Sequence, residues 1–320
     1  PSRIVMGQSG DSATQANIKK ELYLINEKGE SISRFNQFLH YLNDVSPVCF
    51  HTKKEIADKK LKGLFIGGKK KFGIKIPYLR TSYQSKRPVW NILMQALPGT
   101  LMLATAAMFI AIIIGIPLGV MAAVRQNTWM DTSAIFSSIV GISAPSFFMG
   151  IIMVYLFGFV LSDWTGLSIA GSWYTLDDDG HRRLTLQNLV LPAITLGIRP
   201  LAIITQLTRS AMLDVLDQDY IRTAYAKGLT KRQVIWKHGL RNALNPVITA
   251  ITGWFAELLA GAFFVEYIFG WQGIGKVTVD ALEKLDYPVV MGAVLVAAVF
   301  FILINILADI LYGVIDPRVK

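Results

Sequence analysis

A glycine-rich stretch of the sequence nearly matches a phosphate-binding loop. It runs from Gly270 to Val277 and reads Gly-Trp-Gln-Gly-Ile-Gly-Lys-Val. In a phosphate-binding loop the last position is Ser or Thr, whose hydroxyl binds Mg²⁺, and a strand leads into the loop. Val277 has no hydroxyl, and no strand pattern precedes Gly270. We therefore expect a tight turn or a short helix here, and no cofactor bound by this chain.

Metal binding and catalysis find no support in the residue spacing. The four histidines are scattered without a paired spacing, and three consecutive aspartates at 177–179 lack the spaced oxygen ligands of a calcium loop. No nucleophile stands at a spacing that pairs it with a base. The single cysteine, Cys49, excludes a disulfide within one chain. We expect neither a metal nor a catalytic residue.

Two charged residues interrupt otherwise uncharged stretches. Arg199 is the one charge between Leu184 and Thr208, and Glu257 is the one charge between Asn242 and Val265. Charges inside membrane helices are costly and usually face the bundle interior or a water-filled cavity. Two interpretations are open. The two residues could line a pathway and meet a charged or zwitterionic substrate, or they could form a buried ion pair that fixes helix packing.

Composition identifies the elements that carry these residues as membrane helices. The chain is 52% hydrophobic and 17% charged, with a mean hydropathy of +0.43, whereas soluble domains carry about 25% charged residues. Several uncharged runs exceed the roughly 18–20 residues that cross a bilayer. We predict an all-α integral membrane protein with five visible spans, near 97–124, 132–161, 187–210, 244–265 and 287–312.

The charge distribution sets the orientation of these spans. Ten Lys and Arg lie on the side of the 209–244 loop and the C-terminus, and four lie in the short loops of the other side. By the positive-inside rule, the 209–244 loop and the C-terminus are cytoplasmic, and residues 1–90 form an external segment. The formal net charge of +10 then describes a basic membrane protein, so we expect a lipid bilayer and no nucleic acid as partner.

The external segment has several predicted parts. Residues 14–26 resemble an amphipathic helix with Thr14 as its N-cap, and residues 34–43 form a second short helix. The stretch near 44–75 is rich in Lys, and from residue 52 we expect a solvated loop or hairpin. A specific site for an anionic ligand is the alternative there.

The segment between the third and fourth visible spans is basic and contains glycines. This basic segment, Tyr220 to Pro246, is predicted to form two short helices hinged at residues 228–230. Ile221, Ala224, Tyr225 and Gly228 follow one helix face, and two of them are small, so another surface could approach closely. A plain loop that only anchors topology is the alternative, but it would need neither two helices nor a small-residue face.

The basic segment resembles the cytoplasmic signature of bacterial ABC importer permeases of the dipeptide/oligopeptide branch. The general pattern of that family is Glu-Ala-Ala-x₃-Gly-x₉-Ile-x-Leu-Pro. Here Ala224, Gly228 and Leu240 occupy matching positions. Arg222, Thr223, His238 and Arg241 replace the Glu, the first Ala, the Ile and the Pro. The resemblance covers roughly residues 88–320 and includes the stretches at 206–213, 264–275, 286–290 and 311–318.

The resemblance implies a type I ABC importer permease fold of six spans. Five are visible, and a first helix is expected to precede Pro1. Residues 91–320 would form the transmembrane permease domain, with a cytoplasmic coupling part at 213–244. Such a subunit resides in the bacterial inner membrane and is not an enzyme. Its expected partners are a second homologous permease subunit, two ABC ATPase subunits that bind ATP and Mg²⁺, and an external substrate-binding protein.

The resemblance also assigns roles to residues. It implies ATPase coupling through the 220–241 segment, by Arg222, Thr223, Ala224, Lys227, Gly228, Leu229, Lys231, Arg232, His238 and Leu240. The expected solutes are di- or oligopeptides, and the alternatives are nickel chelates or glycosides. Two other classes remain open: a secondary transporter or channel that works without an ATPase, and a membrane signalling or scaffold protein that moves no solute.

Overall fold

The computed structural model describes residue 25 and residues 30–59, 61–68, 70–167, 169–172, 174–176 and 182–315. Apart from Ile25, the predicted helix at 14–26 lies outside these residues. The chain divides into two compact units. The first contains the residues up to Gln95 together with Asp280–Ala293, and the second contains Ala96–Val279 and the residues from Val294 onward.

The N-terminal part of the first unit contains two helices and a three-stranded sheet. In chain order its elements are α1 (Arg34–Val45), β1 (Val48–Thr52), α2 (Lys53–Asp58), β2 (Gly63–Ile66) and β3 (Lys70–Lys75). The sheet is antiparallel in the order β1-β3-β2. The predicted helix at 34–43 is confirmed. The predicted loop or hairpin from residue 52 is only partly right, because the β2–β3 hairpin pairs with β1 as a third strand.

The first unit buries a cluster of polar side chains between α1 and the sheet. Asp44 of α1 is 1% exposed, and its carboxylate lies 2.5 Å from the Lys59 ammonium. The ammonium of Lys75, on β3, donates to the Asp44 carbonyl, and His51 lies beside the same carboxylate at 3.8 Å. At the other end of this unit, the Asp286 carboxylate accepts hydrogen bonds from the Ser82 hydroxyl and the Tyr83 amide. These bonds hold the segment before Val89 to the segment before Tyr287.

Long helices form most of the rest of the chain. Their bounds and those of the short elements between them are α3 (Val89–Val124), α4 (Trp129–Ser143), α5 (Ser146–Tyr155) with a π-helical turn at Leu156–Val160, α6 (Ser162–Thr165), β4 (Tyr174–Leu176), β5 (Arg182–Leu184), α7 (Gln187–Leu216), α8 (Asp219–Ala226), α9 (Lys231–Gln233) with a π-helical turn at Val234–Gly239, α10 (Leu240–Gly261), α11 (Phe263–Ile268), α12 (Ile274–Glu283) and α13 (Tyr287–Ile315). Strands β4 and β5 pair antiparallel.

Three described helices, α3, α7 and α13, are long and apolar enough to cross a membrane. They confirm the first, third and fifth predicted spans. The second predicted span is a broken pair, because its two halves meet at 106°. Pro145 explains the break, since the residue before a proline avoids the helical conformation and Ala144 is extended (ψ 126°). The fourth predicted span is helical as α10, but Asn242, Asn245 and Glu257 leave it too polar to join the three.

Helices α3, α7 and α10 share the main apolar core of the second unit. Leu103 and Ala107 of α3 are fully buried with Leu191 and Ile204 of α7. Close approach depends on small residues. A Cβ added at Gly197 would lie 2.8 Å from the backbone oxygen of Ala107, so the two backbones nearly touch there. This packing fixes α7 and α10, the two helices that enclose the basic segment.

Candidate functional site

The basic segment consists of two short helices joined by a glycine turn. Helix α8 ends at Ala226, and Gly228 follows with φ at +79°, a conformation that L-residues with a side chain rarely adopt. The second helix begins with a capping box, in which the Thr230 hydroxyl accepts from the Gln233 amide and the Gln233 side chain accepts from the Thr230 amide. Helix α9 and its π-helical turn then continue directly into α10. The predicted first helix and the hinge are confirmed, whereas the predicted second short helix is the beginning of a longer one, because it continues into α10 without a break.

One face of the two short helices is closed within the chain itself. Ile221 and Ala224 of α8 pack against Val234 of the second helix, and Leu229 lies beside them. Ala224 is only 6% exposed, so its predicted place on an open contact face is wrong. A small residue is needed there because the second helix folds back onto α8. The structure therefore gives Ala224 a packing role inside the segment.

The opposite face of the segment is exposed and cationic. Arg222, Thr223 and Lys227 on one side of the hinge, and Lys231 and Arg232 on the other, are exposed. A Cβ added at Gly228 would meet no atom within 4 Å, so the hinge itself is open. The only ion pair among these side chains that the structure describes is a loose one between Arg222 and Asp219, 3.4 Å long and largely exposed. Such a pair leaves the surface free to bind acidic groups.

Leu229, His238 and Leu240 are partly buried rather than open. Leu240 packs against Met212, Ile235 and Ala243. It therefore joins the basic segment to the end of α7, and its proposed contact with a partner stays a prediction.

Two aromatic residues were missed by the sequence reasoning. Trp236 is about half exposed on the second helix, and the Tyr220 hydroxyl accepts a hydrogen bond of 3.0 Å from the Asn242 side chain. The latter bond ties the start of α8 to the start of α10. Aromatic residues beside exposed cations are typical of binding surfaces, and that pattern was the available signal.

A bidentate ion pair braces the helix that leads into the segment. The Arg209 guanidinium of α7 donates to both carboxylate oxygens of Asp131 on α4, at 2.5 and 2.8 Å. The Asn127 amide donates to the same carboxylate. Asp131 is almost fully buried, so the pair excludes water on one side. The sequence reasoning missed it, because Arg209 lies at the very end of the third predicted span and Asp131 just before the second, where charged residues are common.

Arg199 and Glu257 do not form the predicted ion pair in the described residues. The Arg199 guanidinium instead lies 5.2 Å from the ring centre of Trp254, a cation–π contact between α7 and α10. Glu257 comes three residues after Trp254, about 4.5 Å further along α10. Both charged side chains are exposed on the surface of this chain. Because a charge in lipid is costly, this surface must meet water or another protein.

The glycine-rich stretch holds a carboxylate of the chain itself. Glu266 of α11 is fully buried and accepts hydrogen bonds from the Thr100 hydroxyl (2.7 Å) and the Lys276 amide (3.1 Å) at the start of α12. Burial raises the pKa of Glu266 to about 7, although these hydrogen bonds favour the charged form. A phosphate at this helix end would have to displace Glu266. Glu266 therefore has a structural role, because its hydrogen bonds join the start of α12 to Thr100 of α3.

Sequence comparison relates this chain to known transport subunits. A family described as "Binding-protein-dependent transport system inner membrane component" matches residues 115–320. The chain is 42% identical over 262 residues to the dipeptide transport system permease protein DppB of Escherichia coli (strain K12), covering 76% of each protein. It is 41% identical over 233 residues to the oligopeptide transport system permease protein AppB of Bacillus subtilis (strain 168), covering 73% of this chain and 72% of AppB.

Structural comparison agrees at the level of the fold. The chain is similar to a solved chain of the MetNI methionine ABC transporter in an inward-facing conformation, with a TM-score of 0.55 and 18% identity. The match covers 71% of this chain and 97% of that chain. Together with the helical architecture, this similarity confirms the predicted permease fold.

Proposed function

Because this chain belongs to the family of binding-protein-dependent transport system inner membrane components, we propose that it carries di- or oligopeptides across the bacterial inner membrane, as one permease subunit of an ATP-driven importer. The observation that carries the choice of solute is the 42% identity, over three quarters of the chain, to a dipeptide permease. As a membrane permease component the chain is a non-enzymatic subunit. Partner ATPases supply hydrolysis of ATP with Mg²⁺.

The complete transporter would contain four further proteins. A second, homologous permease pairs with this chain, two ATPase subunits bind at the cytoplasmic face, and a substrate-binding protein delivers the peptide from outside. The exposed surface around Arg199 and Glu257 supports the permease pairing, because these charges would otherwise face lipid.

The basic segment is the proposed contact with an ATPase. Its exposed face combines an open glycine hinge with the cations Arg222, Lys227, Lys231 and Arg232. These groups suit a groove lined with acidic or polar side chains. The closed inner face, held by Ile221, Ala224 and Val234, makes the two helices one rigid body. A rigid body can pass a displacement to the helices on either side of it.

Arg199 and Glu257 are the proposed pathway residues. A peptide is a zwitterion, with a carboxylate at one end and an ammonium at the other. An exposed guanidinium and an exposed carboxylate on adjacent helices would offer weak partners for both ends. The contact between Arg199 and Trp254 holds the guanidinium in place without neutralising it.

The proposed orientation places residues 1–90 outside and the C-terminus in the cytoplasm. The basic segment then lies on the same side as ATP. The support is the surplus of Lys and Arg in the short loops of that side.

Reconstituted uptake tests the whole proposal. The chain is co-purified with its partner permease and ATPases, placed in proteoliposomes with ATP inside, and given radiolabelled dipeptide with the binding protein outside. We expect uptake that needs ATP and that orthovanadate blocks. Uptake of a nickel chelate or a glycoside, without uptake of peptide, would show that the proposed solute class is wrong. Uptake driven by an ion gradient without any ATPase would overturn the importer itself.

A further inference from the structure

The sheet of the first unit exposes an apolar face. Side chains alternate along each strand, and the positions on one face of the three strands are apolar and exposed. They are Val48, Phe50, Leu64, Ile66, Phe72 and Ile74, in two cross-strand rows set by the register of β3 with its neighbours. Leu64 and Ile66 are 79% and 77% exposed. A contiguous patch of this kind marks a surface that something covers.

The other face of the sheet contains buried side chains on β1 and β3. Cys49, His51 and Lys75 alternate with the exposed apolar residues, and they pack towards Asp44 of α1. Polar groups thus lie between this part of the sheet and α1, while the opposite sheet face is apolar and exposed. The exposed apolar face therefore does not cover the unit's own interior.

Basic residues surround the apolar face. Residues 30–95 contain 13 Lys and Arg against four Asp and Glu. Lys62 lies on the same alternation as Leu64 and Ile66, Lys53 and Lys54 follow β1, and β3 begins with Lys70 and Lys71. By contrast, α1 also exposes apolar residues but contains a single Lys or Arg, Arg34. Charge therefore distinguishes the sheet face from the α1 surface.

The first unit also includes the beginnings of two membrane helices. Helix α3 starts at Val89 and α13 at Tyr287, and the first residues of both belong to this unit. The hydrogen bonds of Asp286 to Ser82 and Tyr83 hold these two starts together. The unit therefore contains the first residues of two helices, α3 and α13, that are long and apolar enough to cross a membrane.

We propose that the apolar face of the β1-β3-β2 sheet lies on the bilayer surface and binds anionic phospholipid. The apolar side chains enter the acyl region, and the surrounding lysines meet the lipid phosphates. An apolar face with a cationic rim is the general pattern of interfacial membrane binding. The Lys-rich stretch then serves as a membrane anchor for the external unit, a role independent of the solute and of the ATPase.

Lipid quenching of a probe on this face tests the proposal. The full chain, with Cys49→Ala as background and Leu64→Cys labelled with bimane, is placed in nanodiscs of phosphatidylcholine with phosphatidylglycerol. Acyl chains brominated near the carboxyl end act as the quencher. The matched control is Asn36→Cys on α1, which is exposed on the other side of the sheet. We expect strong quenching at position 64 and none at position 36.

The charge requirement gives a second measurement. The ratio of quenched to unquenched probe at position 64 should fall in discs of phosphatidylcholine alone. It should also fall when Lys62→Gln is added to the labelled chain. For Lys62→Gln the reduction is about fivefold, since each basic residue near an anionic surface contributes roughly that factor. Lys62 is exposed, so this variant keeps the fold.

Three outcomes would overturn the proposal. The first is a probe at position 64 that bromolipid leaves unquenched. The second is equal quenching in discs with and without phosphatidylglycerol. The third is a probe at position 64 that is shielded from water only when the partner permease or the binding protein is present. That result would identify a protein as the occupant of this face.

Discussion

Replacing Gly228 with Ala separates a coupling role from a simple loss of stability. At φ +79° a side chain costs about 1–2 kcal/mol, because Cβ approaches the following carbonyl oxygen. No other cost arises within the chain, since a Cβ there meets nothing within 4 Å. Gly166 offers a matched control, with φ +57° and equally open surroundings, in the turn after α6. Both Ala variants should therefore lose the same small amount of stability.

Their effects on transport should differ. The strain at Gly228 opposes the fold of the basic segment, so the ratio of the docking conformation to the other conformations of the segment falls by about 5–30-fold. We expect dipeptide uptake and binding-protein-stimulated ATPase activity to fall in Gly228→Ala, by up to that factor. They should be abolished in Gly228→Asp, which also places an anion among the cations. Gly166→Ala should retain both activities, and all variants should insert into the membrane.

Two results would refute this reasoning. Normal uptake by Gly228→Asp would mean that the hinge does not contact the ATPase. Equal losses in Gly228→Ala and Gly166→Ala would mean that stability alone was affected. Bulky residues at Ala224 would not separate coupling from stability, because Ala224 packs inside the segment.

Three further predictions concern other parts of the chain. Arg199→Gln and Glu257→Gln should each lower dipeptide uptake without changing basal ATPase activity, and unchanged uptake in both would remove the pathway role. Asp131→Asn should destabilise the chain by about 3–5 kcal/mol, because it leaves the Arg209 guanidinium without its bidentate partner. Thermal unfolding in detergent measures this loss. An unchanged unfolding midpoint would contradict the prediction. Glu266 is protonated more readily in the folded chain than its ordinary pKa of 4.5 allows, so its contribution to stability is complete below pH 4.5 and declines as the pH rises through about 7. The loss is about 3 kcal/mol. Glu266→Gln should flatten this decline in the unfolding midpoint, and an equally steep decline in the variant would assign it to another group.

The spans were predictable where one physical signal dominated. Uncharged runs long enough to cross a bilayer located α3, α7 and α13, since hydropathy alone decides such segments. The break before Pro145 could also have been read from the sequence. A proline inside a span can either kink or break it, however, and only the packing around it decides which.

The site was predictable in its local geometry but not in its tertiary contacts. The hinge at Gly228 follows from residue type. The burial of Ala224 depends on the second helix folding back, and the hydrogen bonding of Glu266 depends on Thr100, which is 166 residues away. No local sequence pattern encodes such contacts. The sequence therefore could not show that the Glu266 carboxylate binds the backbone amides at the start of α12.

The continuity of two helices connects the basic segment to the proposed pathway. Helix α7 reaches Leu216, two residues before α8, and the second helix of the segment continues into α10 without a break. Arg199 lies 17 residues before Leu216, and Glu257 lies 17 residues after Leu240. Both charges are therefore about 25 Å along a helix from the segment. A tilt of the segment by roughly 10° would displace both by about 4 Å. We infer that one rocking motion changes the exposure of both charges, because the same rigid body holds the end of each helix.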